Sequence, residues 1–324
     1  MAATPTARRS PAVAARFARR SARSIPDIER RDEIGDIVRQ IWRMRCNRVR
    51  LFHFACQPAS AIAFMLCGGR PSIKERAMRE ATTGHEEGGS HPLDNVVWNA
   101  LTGEQHCFAL GDALARRFPP ALAPFAGMAE RSAGAFDALR ALIDAHGPAA
   151  LVTPDEIPTP AGCSVVRRAV LHQMIWQGTL DDAHPLEHVR LTDADVPEML
   201  ELIAATEPGP FGTRTIEFGG YIGVRRQGRL VAMVGQRLKA GEHAEISAVC
   251  VDAAFRGQGL AAGLIRSLIA TIFARAETPF LHVLTSNHVA IERYRALGFA
   301  MRRDMHLLVL GREDGRTEQP GSKP

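Results

Sequence analysis

Apolar positions change period along the C-terminal part of this chain, and the changes mark its elements. Ile246, Ala248, Val249, Cys250 and Val251 form a short apolar run of strand length. After Gly257 and Gly259 the spacing becomes helical, with Ala261, Leu264, Ile265, Leu268, Ile269 and Ile272 on one face. Upstream, His188 to Leu191 reads as a short strand. Thr192 to Asp195 offers N-cap residues before a helix faced by Val196, Met199, Leu200 and Ile203. Pro208, Gly209, Pro210 and Gly212 mark a loop. Tyr221–Val224 and Leu230–Arg237 read as a hairpin across Arg226-Gln-Gly-Arg229. Phe280–Leu284 and Met305–Leu310 supply two further strands.

The preceding region is patterned more weakly. His91 opens a second unit, in which Ala109–Arg117 and Ala133–His146 read as helices separated by Pro119 and Pro120. Phe136, Leu139, Leu142 and Ile143 share the face of the second helix. Ala149–Thr153 and Val165–Trp176 read as strands around a proline-punctuated loop. Residues 27–50 read as a charged helix and residues 80–91 as a linker. Residues 1–24 are rich in Ala, Arg, Ser and Pro. They read as a disordered basic tail, or as a start placed too far upstream, in preference to a transit peptide. The expected division is a basic extension over 1–90, an α/β unit over 91–186, a catalytic unit over 187–312 and a polar tail over 313–324.

Charge sharpens that division. The formal net charge is +5, yet residues 1–90 hold 16 Arg and one Lys against nine acidic residues. The remainder is therefore mildly acidic, which argues against a nucleic-acid-binding surface there. No apolar run reaches the ~18 residues that span a bilayer, so no membrane partner is expected. The six cysteines are scattered, without a C-x-x-C pair or histidines at zinc spacing. Reduced thiols, a cytoplasmic setting and no metal are expected.

The candidate chemistry lies at Arg256-Gly-Gln-Gly-Leu-Ala261. A glycine turn opening a helix presents free N–H groups and a positive dipole end, which suit a phosphate or pyrophosphate. Gly257-x-Gly259-x-x-Ala262 also fits a dinucleotide fingerprint. That reading needs an acidic residue at the end of the next strand, where Thr285, Ser286 and Asn287 stand instead. An NAD(P)-binding oxidoreductase is thus the distant alternative.

Taken with Asn287, Ala290-Ile-Glu-Arg-Tyr294 and Leu297-Gly-Phe299, the loop resembles the signature of the GNAT acyltransferases over about residues 187–312. Residues 91–186 are compatible with a degenerate half of the same kind. The resemblance implies a mixed α/β (α+β) fold, with a central, mostly antiparallel sheet flanked by helices. It also implies acetyl-CoA as acyl donor and a small-molecule or peptide amine as acceptor, joined by direct attack in a ternary complex. The alternative is a non-catalytic acyl-CoA-binding module. Arg256, Gly257, Gln258, Gly259, Leu260 and Ala261 would hold the pyrophosphate; Val249, Cys250 and Val251 would run beside the pantetheine arm, and Asn287 would contact it. Tyr294 would be the general acid. Glu245 is the candidate base, with His243 and His282 as alternates. Cys250 as a nucleophile is disfavoured, because no basic neighbour in sequence would lower its pKa.

Overall fold

The computed structural model describes residues 91–180 and 186–313. The expectations for residues 1–90 and for most of the C-terminal tail lie outside the described residues. Five helices and eleven strands are found among those described: α1 (Val96–Thr102), β1 (Leu110–Gly111), β2 (Ala115–Arg117), β3 (Ala126–Met128), α2 (Ala133–His146), β4 (Ala149–Thr153), β5 (Cys163–Trp176), β6 (Val189–Arg190), α3 (Val196–Thr206), β7 (Ile222–Arg226), β8 (Arg229–Ala240), β9 (His243–Val251), α4 (Leu260–Phe273), β10 (Thr278–Leu284), α5 (His288–Ala296) and β11 (Phe299–Arg312). No helix among them is long and apolar enough to cross a membrane.

Eight strands form one sheet in the order β4-β11-β5-β10-β9-β8-β7-β6. Every pair is antiparallel except β9 with β10. The mixed, mostly antiparallel architecture is thus as the resemblance implied. The expected boundary at residue 186 does not interrupt the sheet. β5, which precedes it, lies inside the sheet between β10 and β11, and β4 pairs with the far edge of β11. The reason is compositional. Met174 and Trp176 are buried on one face of β5, and neither finds a core within residues 91–186; both join the cluster beneath α4.

α4 covers that face with Leu260, Leu264, Ile265, Leu268, Ile269 and Ile272, all buried. At ~1.5–3 kcal/mol per side chain, this stripe is the main anchor of the helix. The opposite face is shared. α1 packs Val96, Val97, Ala100 and Leu101 with Leu238, Phe280 and Met305. α3 packs Met199, Leu202 and Ile203 with Tyr221, Met233 and Cys250.

One expected helix is absent. Over Ala109–Arg117 the chain forms β1 and β2, which join β3 in a small second sheet. Asp112 accepts hydrogen bonds from the Leu114 and Ala115 N–H groups at 2.8 and 3.0 Å, closing a local turn that competes with the helix. α2 matches its expected bounds. Ser132 caps its start, accepting from the Ala135 N–H, and Leu139 and Ile143 are buried, while Phe136 and Leu142 are only partly so.

Candidate active site

β9 and β10 pair only at their beginnings, from His243–Glu245 against Thr278–Phe280. Beyond Phe280 and Glu245 the two strands separate. β9 also carries a bulge, with Ala248 and Val249 both opposite Val234 of β8 and Ala248 at φ 52°. A bulge bends its strand and raises its local twist. β9 therefore turns away from β10 and leaves its own edge unpaired on that side. The opening so made has the glycine loop at one margin, after β9, and α5 at the other, after β10.

The glycine loop follows a short 3₁₀ turn, Ala253–Phe255, whose start is capped by the Asp252 carboxylate accepting from the Ala254 N–H at 2.9 Å. Arg256, Gly257, Gln258 and Gly259 are solvent-exposed. Gly259 is the N-cap of α4 at φ 75° and ψ 2°, with no side chain capping the helix. A Cβ on Gly259 would meet nothing within 4 Å. The requirement for glycine here is thus the left-handed backbone, and a ligand can come close to it. Gly259→Val is expected to abolish coenzyme binding while the thermal transition persists, because a β-branched residue is strained there and reshapes the first turn. Unchanged coenzyme affinity, measured by calorimetry on the folded variant, would remove the loop from the site.

Asn287 caps α5, its Oδ1 accepting from the Ala290 N–H at 3.2 Å. Two turns later Tyr294 packs edge-on against Phe299, with ring centroids 6.0 Å apart. Burial, with the Cys250 thiol close by, pushes its phenol up to about 12. Cys250 is itself buried; its Sγ donates to the Ala248 carbonyl at 3.3 Å, and burial pushes its thiol up to about 12. A nucleophilic thiolate needs the opposite environment. The second of the chain's two tyrosines, Tyr221, also lies near Cys250, on the face away from α4. Its ring covers Gly235, where a Cβ would stand 2.1 Å from the tyrosine Cε1. Its hydroxyl is buried and has no hydrogen-bond partner among the described residues.

Glu245, the expected base, is fully buried within a network that its sequence neighbours do not reveal. Arg237 donates to it through Nε at 2.9 Å and Nη2 at 2.6 Å, the Leu238 N–H donates at 3.3 Å, and His282 Nδ1 lies 2.8 Å away. Burial alone would raise this carboxyl; Arg237 and then His282 more than offset it and bring it down to about 2. His282 Nε2 faces the Gln173 amide nitrogen at 3.0 Å, and that nitrogen also donates to the Leu93 carbonyl. Gln173 Oε1 accepts from Arg302, which also donates to Asp94. Both ring nitrogens of His282 are thus engaged, Nδ1 by the carboxylate and Nε2 by the amide. The chain of partners thus ties β8, β9, β10, β5 and β11 to the segment before α1. It leaves neither Glu245 nor His282 free to take a proton directly. His243, the other alternate, sits at the far, paired end of β9 beside His91.

A splayed parallel pair, a bulge and an uncapped glycine turn together frame an opening with free backbone N–H groups at its margin. The comparisons with known proteins name the class of the chain. Residues 221–307 match the model of the FR47-like protein family. The N-alpha-acetyltransferase RimI of Mycobacterium tuberculosis is 32% identical over 130 residues, covering 36% of this chain and 80% of that protein. A GNAT-family structure from Novosphingobium aromaticivorans is 42% identical with a TM-score of 0.65, covering 69% of this chain and 100% of that one. The chain belongs to the GNAT superfamily and is an N-acetyltransferase enzyme. The last match is longer than residues 187–313, so the likeness extends into the unit before α3.

Proposed function

We propose that the protein transfers an acetyl group from acetyl-CoA to the α-amine of a peptide or protein, within one ternary complex in the cytoplasm. The observation that carries the acceptor class is the saturated carboxylate of Glu245. Without a free base, the acceptor must supply its own neutral form. An α-amine, with a pKa of about 7.7–8.0, does so far better near pH 7 than a lysine amine at about 10.4. The name of the RimI relative supports the same class. The buried, high-pKa thiol of Cys250 speaks for direct attack over a covalent enzyme intermediate.

In this reading the pyrophosphate rests on the backbone N–H groups of Gly257–Ala261, beside Arg256 and Gln258. The pantetheine arm follows the unpaired edge of β9 along Val249–Val251. The amine nitrogen attacks the thioester carbon, and the carbonyl electron pair moves to oxygen, where a β9 N–H receives it. Collapse breaks the C–S bond, the thiolate takes a proton from Tyr294, and the proton lost by nitrogen goes to water. Glu245 holds Arg237 and His282 in place, and Asn287 orients α5 and with it Tyr294.

The test is thiol release from acetyl-CoA with two hexapeptides: one with a free N-terminal alanine and no lysine, the other N-acetylated with one lysine. The first is expected to react faster at pH 7 by roughly 10²-fold, its rate rising with pH and levelling above about 8. Equal rates would overturn the acceptor class. Absence of any acetyl-CoA-dependent thermal shift would overturn the donor.

A further inference from the structure

The loop between α3 and β7, residues 207–220, overlies the sheet face away from α4. Phe211 packs edge-on against Tyr221 with centroids 5.7 Å apart, and Ile216 belongs to the same cluster as Met233 and Cys250. The middle of this loop is tied to a turn far upstream, at Pro119–Ala123. Thr215 is buried, and its Oγ1 donates to the Leu122 carbonyl at 2.6 Å while accepting from the Gly212 N–H at 2.7 Å. The Arg214 N–H donates to the Ala121 carbonyl at 3.0 Å. Gly212 lies so close to the same carbonyl that a Cβ would stand 2.2 Å from its oxygen. Phe218 adds edge-on contacts to Phe118 and Phe108 at 5.3 and 6.0 Å.

We propose that Thr215, with the Ala121 and Leu122 carbonyls, forms a latch by which the unit before α3 sets the position of the acceptor-side loop. Thr215 is then a positioning residue for the acceptor amine, and residues 119–123 help determine which acceptors fit. The inference rests on the proposed function, which puts the coenzyme at the start of α4, and adds to it that the amine meets the thioester from the sheet face away from α4, which this loop covers. The loop ends in Tyr221, whose buried hydroxyl lacks a partner among the described residues and lies near Arg237, Glu245 and Cys250. A latch that fixes the loop also fixes that hydroxyl relative to β9. The coenzyme loop and α5 lie outside the latch, so donor binding should not feel it.

Thr215→Val keeps the side-chain shape and leaves the Leu122 carbonyl and the Gly212 N–H unpaired. From the usual cost of such unpaired groups, the KM for the alanine-initiated hexapeptide is expected to rise about tenfold or more, with KM for acetyl-CoA within about twofold. Thr215→Ser retains the hydroxyl and is expected to restore the peptide KM. Gly212→Ala, which drives a methyl against the Ala121 carbonyl, is expected to show the same split should the valine variant fold poorly. Amide hydrogen exchange gives a readout independent of turnover: Gly212 and Arg214 are expected to exchange faster in Thr215→Val than in the wild type. An unchanged peptide KM, or an equal rise in both KM values, would overturn the proposal. If the wild type itself does not acetylate the peptide, the functional reading fails. The latch is then judged by exchange alone, and unchanged protection of Gly212 in Thr215→Val overturns it.

Discussion

A chain starting at Glu187 and lacking residues 91–186 is expected to be insoluble, although it retains the glycine loop, Tyr294 and the whole of residues 221–307 that match the family model. β5 is not an addition to the sheet's edge. It pairs with β11 along its length and with β10 from Leu171 to Ile175. Deleting it bares two facing strand edges, each a row of unpaired N–H and C=O groups open to aggregation. Removing residues 91–186 also takes Met174, Trp176, Phe118, Phe125 and Leu93 out of buried clusters. Losing one large core side chain typically costs ~2–5 kcal/mol. Several lost together exceed the ~5–15 kcal/mol that holds a domain. Gln173 goes as well, leaving His282 and Arg302 without their shared partner inside the sheet. Solubility, the far-ultraviolet circular dichroism and the thermal transition of the truncated chain check this. A soluble protein with a sharp transition and intact coenzyme affinity would show that residues 187–313 fold alone.

That outcome bears on how far the sequence could be read. The glycine loop, α4 and the hairpin of β7 and β8 are all visible in the order of residues, because each is a local pattern. Glycines stand where the backbone turns left-handed, and apolar residues recur at a period of 3.6 or 2. Even α2 carries its own signals, with Ser132 before it and Gly147 after it at φ 83°. The position of β5 carries no such signal. Its alternation predicts a strand, but nothing local says that the strand lies between two others more than a hundred residues later. Glu245 was hidden for the same reason. A carboxylate near the start of a strand usually faces water, and only the β8–β9 hairpin brings it against Arg237. The hairpin bulge between Gln236 and Lys239 shifts the pairing, so counting back from the turn at Gly241 would not give the partner. Ala109–Arg117 shows the converse error, where helical spacing was outweighed by one aspartate closing a turn on its own backbone.

Tyr294→Phe is expected to lower kcat by about 10²- to 10³-fold while the affinity for acetyl-CoA stays near that of the wild type, within the usual range for general acid catalysis. The ring and its edge-on contact with Phe299 remain, so packing at the base of α5 is kept. Only the hydroxyl is lost. Burial has a further consequence, with a definite sign. The phenol is pushed up to about 12, so it holds its proton far into the alkaline range. The rate should therefore show no alkaline limb due to this residue below about pH 11. An unperturbed tyrosine, with a pKa of about 10, would produce one. The chain contains two tyrosines and both are raised by burial. Tyrosinate absorbance near 295 nm should then be almost absent at pH 10.5 in the native protein and well developed in urea at the same pH. Folding stability follows the same sign. The contribution of these two groups is complete below about pH 10 and falls as pH rises through the folded values, because the unfolded chain loses its phenolic protons first. In Tyr294→Phe the alkaline unfolding midpoint should move upward even as turnover falls. A variant with full kcat at every pH would leave Tyr294 a packing residue. A variant that has lost acetyl-CoA affinity along with kcat would show instead that the hydroxyl holds the coenzyme arm.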